Sequence, residues 1–163
     1  MRRRLAALFA LAALGCPGGS VAGHCPGLPL ARLTLVPVVD PGRTTCPADQ
    51  ISTVPFAVTI TQDQASDVAW ACSGRRLSDP LAGTLSGNDL TASATSDGGV
   101  FGTCAVTCSV RVTETLDGTL ARDLGGAVTG FSGTLMESAN ADVELSCGAC
   151  TMPCTVAYTV ASP

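Results

Sequence analysis

The sequence predicts an all-β fold: an antiparallel up-and-down meander of about eight strands, closed as a barrel or folded as a sandwich and stabilised by disulfides. Three observations predict it. Apolar residues recur with a period of two through most of the chain beyond Ser52. Short turns rich in Gly, Asn and Asp separate those runs, and several of them carry the apolar face of one run onto the next. The chain has nine cysteines, and an even number remains once a targeting segment is set aside.

Residues 1–22 read as a signal peptide. Met1 to Arg4 is a positive leader, Leu5 to Gly15 is an uncharged run of 11 residues, and Ser20-Val21-Ala22 offers a small-residue cleavage site. That run is too short for a permanent membrane span. Leu11 to Cys16 also reads loosely as a lipobox, with lipidation at Cys16 as the second route; only then would the chain meet a membrane. Either route exports the domain to a periplasmic or extracellular location, free or lipid-anchored. Cleavage after Ala22 removes Arg2, Arg3 and Arg4 and takes the net charge from −4 to −7. So acidic a chain, with no lysine, is a poor partner for nucleic acid.

Residues 23–52 read as a Pro-rich arm or edge strand, with Pro37 interrupting the apolar stretch Leu33 to Val39. Residues 53–163 read as the β domain. Val54, Phe56, Val58 and Ile60 alternate with Pro, Ala and Thr, and Val68, Trp70 and Cys72 repeat the pattern. Leu81 to Ser86, Leu90 to Thr95, Cys104 to Thr113, Val143 to Cys147 and Cys154 to Ala161 follow it. Gly87-Asn88 is a two-residue hairpin loop that pairs Leu85 with Leu90 and Gly83 with Ala92. Asp97-Gly98-Gly99, as a loop, sets Ala92 opposite Cys104. A turn at Asp63 to Ser66 sets Val58 opposite Trp70. A turn at Asp123 to Gly126 lays Phe131 near Gly118 and Leu135 near Glu114.

The cysteines beyond the signal are Cys25, Cys46, Cys72, Cys104, Cys108, Cys147, Cys150 and Cys154. In an exported chain they read as a disulfide framework. Cys25 with Cys46 would pin the arm, and Cys147 with Cys154 would close a hairpin in which Leu145 faces Val156 and Val143 faces Tyr158. Cys104 and Cys108 on one regular strand lie too far apart to bond each other. The spacings around Cys147, Cys150 and Cys154 also suit zinc, but disulfides are the better reading in this context. The motif Cys-x3-Cys-[Ser/Thr]-Val occurs at Cys104 and again at Cys150.

Gly83 to Thr91, Val112 to Leu120 and Cys154 to Thr159 resemble segments of uncharacterised exported bacterial β-meander proteins, some of them lipocalin-like. The resemblance covers roughly residues 54–161 and implies a fold class, without a ligand. The Gly-x-Trp signature of lipocalins is absent, since Val68-Ala69 precedes Trp70.

Catalytic chemistry finds no seat in these patterns. The single histidine, His24, stands beside the expected mature terminus. Gly130-Phe131-Ser132-Gly133 lacks the spacing of a nucleophile elbow. No cofactor loop or metal set is expected. Glu114 is the odd polar residue: continued alternation from Val112 aims it inward, whereas a β-bulge near Thr113 turns it to solvent. With Trp70 and Tyr158 it would line a pocket. The expectation is a non-enzymatic exported barrel binding a small apolar ligand. The rivals are a structural or interaction protein of the cell envelope with a filled core, and a lipid-anchored lipoprotein.

Overall fold

The computed structural model describes residues 25–73, 77, 79–97, 110–141 and 152–163. The expectations for the signal segment, Cys16, His24, Cys104, Cys108, Cys147 and Cys150 lie outside the described residues, as does the expected strand at Val143 to Cys147. Eight antiparallel strands follow one another in chain order and close into a barrel. They are β1 (Leu28–Val39), β2 (Phe56–Gln62), β3 (Val68–Cys72), β4 (Leu81–Ser86), β5 (Asp89–Asp97), β6 (Val110–Arg122), β7 (Val128–Ala141) and β8 (Cys154–Ala161). A turn of 3-10 helix, Ala48–Gln50, interrupts the β1–β2 connection.

Residues 23–52, expected as a Pro-rich arm or edge strand, supply β1, which closes the barrel. β1 pairs with β2 from Leu28 to Leu35 and with β8 from Val36 to Val39. Pro37 fits this division. The Asp40 amide donates to the Ala157 carbonyl at 2.8 Å, so Val36 and Val38, two and four residues before it, also aim their backbone groups at β8. Pro37 therefore points its missing donor toward β2, whose ladder has already ended at Phe56.

The Gly87-Asn88 hairpin is as expected. Leu85 pairs with Leu90 and Gly83 with Ala92, and Gly87 takes the positive φ of +62° that its turn requires. Other registers differ. Ala92 pairs with Leu116, not Cys104, because β5 runs straight to Asp97 and its partner strand starts only at Val110. Phe131 pairs with Leu120 and Leu135 with Leu116, two residues from the expected register. An even slip leaves the faces unchanged. Val156 pairs with Glu137 and Tyr158 with Leu135, because the strand beside β8 is β7.

The β2–β3 hairpin slips by three residues, an odd number. Thr61, not Val58, faces Trp70, and Ile60 faces Ala71. Every side chain of β3 is thereby reversed: Ala69 and Ala71 are fully buried inside, and Trp70 stands on the outer wall. The loop sets the slip. The Asp63 amide donates to the Val68 carbonyl at 2.9 Å, and its carboxylate accepts from the Ala65 amide and the Ser66 hydroxyl. Small residues suit this wall of the interior because bulky ones project from the wall opposite. Phe131, Leu135 and Tyr158 on β7 and β8 are among the large inward groups.

Among the described residues the disulfides are Cys25–Cys72 and Cys46–Cys154, in place of the expected Cys25–Cys46 and Cys147–Cys154 bonds. Both follow from β1 lying in the barrel. Its two ends are carried to different neighbours, so Cys25 meets β3 and Cys46 meets β8.

Candidate functional site

Glu114 sits in the middle of β6. Pairing with β7 runs without a shift from Val110 to Ala121, so no bulge intervenes near Thr113 and the alternation aims Glu114 inward. The register sets it opposite Glu137, and each is only 3% exposed. On the far side of this pair stand Ala94 of β5 and Val156 of β8. Tyr158, 1% exposed, lies on the next row, opposite Leu135. The structure therefore brings Glu114 and Tyr158 into one region of the interior and leaves Trp70 outside it. Burying carboxyl groups in an apolar core is costly. The rows on either side, Val112 with Ala139 and Leu116 with Leu135, supply the compensating apolar burial.

Glu137 was not among the candidates from sequence. The signal for it was present, since two steps from Leu135 keep the same face. It was hidden because β7 was not recognised as one strand of 14 residues. Among the described residues, no group of three or more His, Cys, Asp or Glu side chains is placed to hold a metal ion.

Among the described residues, inward side chains from several strands are fully buried. Leu35, Val58, Ile60, Leu81, Leu135 and Val156 keep 0% of their surface. A side chain lining a ligand-sized void keeps surface that a water molecule can touch, and these keep none.

One end of the barrel is tied down by the β1–β2 connection. The Thr45 and Cys46 amides donate to the Thr155 carbonyl at 2.8 and 3.2 Å. The Thr155 amide donates back to Thr45 Oγ1 at 2.9 Å, and the Ala157 amide donates to Thr44 Oγ1 at 3.1 Å. This connection thus occupies the part of the β8 edge that β1 does not reach. The Cys46–Cys154 bond anchors it, and the Gln50 amide oxygen, itself buried, rests 3.5 Å from Cys154 Sγ.

Trp70 is half-buried on the outer wall, where residues 25–27 fold back over it. A Cβ on Gly27 would lie 2.9 Å from the Trp70 ring, so the backbone passes directly against the indole. Gly27 makes that approach at a φ of +76°. Thr61, opposite Trp70, donates its hydroxyl to the Pro26 carbonyl. Two disulfides are compatible with an exported chain. No helix among the described residues is long and apolar enough to cross a membrane. No family model, curated protein or solved structure matches this chain.

Proposed function

We propose that this chain is an exported, non-enzymatic barrel with a filled core, which acts through its outer surface as a structural or interaction protein of the cell envelope. The observation that carries this reading is the close packing of the interior. An eight-stranded barrel is just wide enough to fill itself or to hold one small ligand. The fully buried leucines, valines and isoleucine favour the first alternative. The Glu114 and Glu137 side chains, each only 3% exposed, lie between apolar rows of the same wall. Export is supported by the leader at residues 1–22 and by the disulfides.

Native mass spectrometry of protein purified from its source tests the filled core. The expected mass is that of the disulfide-bonded processed chain alone, with no retained small molecule. A stoichiometric extra mass that leaves on unfolding would overturn it in favour of a small-molecule carrier. A diacylglyceryl mass carried on Cys16 would make the chain a lipoprotein and leave the filled core standing.

A further inference from the structure

We propose that residues 25–27 are a strap over Trp70 that a dithiol reductant releases. The strap has three attachments. Cys25 is bonded to Cys72 on β3, the Thr61 hydroxyl donates to the Pro26 carbonyl, and the Gly27 backbone lies against the indole. Its effect shows at Thr61, an outward-facing residue of the barrel wall that is only 1% exposed. An outward threonine on an uncovered strand would be wet.

The two disulfides among the described residues differ in access. Cys46 and Cys154 are 7% and 3% exposed and belong to the core. Cys25 and Cys72 are half-buried on the outside. Thiol–disulfide exchange needs a thiolate to reach a sulfur, so of these two bonds the outer one is attacked first. One thiolate of the dithiol displaces Cys25 or Cys72 and forms a mixed disulfide. Its second thiolate displaces the other cysteine. The dithiol leaves oxidised as a cyclic disulfide, and its two electrons and two protons reside on Cys25 and Cys72 as thiols.

With that bond broken, the Thr61–Pro26 hydrogen bond, the weak contacts of Cys25 Sγ with Thr61 Oγ1 and the Thr59 carbonyl, and the contact of Gly27 with the ring remain. Keeping three residues ordered costs more than one full hydrogen bond and two weak sulfur contacts return. Gly27, already in the left-handed region, is the hinge. Release uncovers the indole beside Val68, which shares its face of β3 and is 39% exposed even with the strap in place. The result is an apolar patch of Trp70 and Val68 on the outer wall, present in the reduced state and covered in the oxidised one.

Trp70 is the only tryptophan of the chain, so its fluorescence reports this site alone. The full processed chain is titrated with a dithiol, and alkylation with peptide mapping identifies which cysteines open. The expected result is early opening of Cys25 and Cys72, with a red shift of emission, a several-fold rise in acrylamide quenching and unchanged far-ultraviolet circular dichroism. Cys25→Ser/Cys72→Ser should show the same emission without reductant. If that variant does not fold, the chemical titration decides. Unchanged Trp70 emission with Cys25 and Cys72 reduced, or opening of Cys46–Cys154 before them, would overturn the proposal.

Discussion

Cys46 and Cys154 are bonded across 108 positions of sequence and join the β1–β2 connection to the first residue of β8. β1 reaches β8 only from Tyr158 to Ala161, and the connection supplies partners for Thr155 and Ala157. The bond therefore fastens the closing seam of the barrel where strand pairing alone leaves it open.

Removing it should cost more than removing the Cys25–Cys72 bond. Loop length alone, 108 against 47 positions, favours the Cys46–Cys154 bond by about 0.7 kcal/mol in the chain-entropy account. Burial of both sulfurs adds to this. Cys46→Ala/Cys154→Ala should lose about 3–5 kcal/mol in urea unfolding, and Cys25→Ala/Cys72→Ala measurably less. Faster amide exchange at Thr155 and Ala157 should accompany the first variant only. A larger loss from the second would mean that the seam is held by its hydrogen bonds and not by the sulfur bridge.

How far the sequence announced this architecture depends on the element. The period of two in β2, β4 and β8 and the Gly87-Asn88 turn were enough for an all-β meander, because each is a local property. The β2–β3 register was not legible. Preference for large apolar groups inside put Trp70 in the core, but the interior accepts Ala69 and Ala71 there, and the outer wall has its own cover in residues 25–27. That cover comes from a segment distant in sequence, so no local pattern reports it. The disulfide partners were hidden for the same reason: they depend on β1 lying in the barrel wall, with its start on the β2 side near β3 and its end beside β8. Tyr158 was placed inside correctly by parity alone. Glu114 could be resolved only once the unshifted β6–β7 pairing removed the bulge.

Glu114 and Glu137, directly opposite on neighbouring strands, should be energetically coupled. Opposed residues on one sheet face interact, and residues in contact depart from additivity by about 0.5–3 kcal/mol. A double-mutant cycle with Glu114→Gln and Glu137→Gln, each keeping the side-chain volume, measures that coupling by urea unfolding. The expected interaction is at least about 0.5 kcal/mol. Additive single-site effects would mean that the two carboxyl groups turn away from each other and do not form one polar row.

The glycines of the long β6–β7 hairpin give the sharpest test of the barrel's close approach. Gly118 pairs with Gly133, and a Cβ on Gly118 would stand 2.3 Å from the Ser132 carbonyl oxygen and 2.5 Å from Phe131 Cζ. Gly126, in the loop of the same hairpin, has a φ of +84° but nothing within 4 Å of an added Cβ. The two substitutions therefore separate crowding from backbone strain. Gly126→Ala should cost about 1 kcal/mol, for the left-handed conformation alone. Gly118→Ala should cost about 2–3 kcal/mol, because a backbone atom must move. In a Phe131→Leu background, itself destabilised by the loss of a buried ring, the added cost of Gly118→Ala should shrink only in part. Phe131→Leu clears the ring, but the Ser132 carbonyl and Gly133 Cα, 2.7 Å away, stay in place. Equal costs at Gly118 and Gly126 in urea unfolding would show that β6 and β7 do not approach this closely in solution.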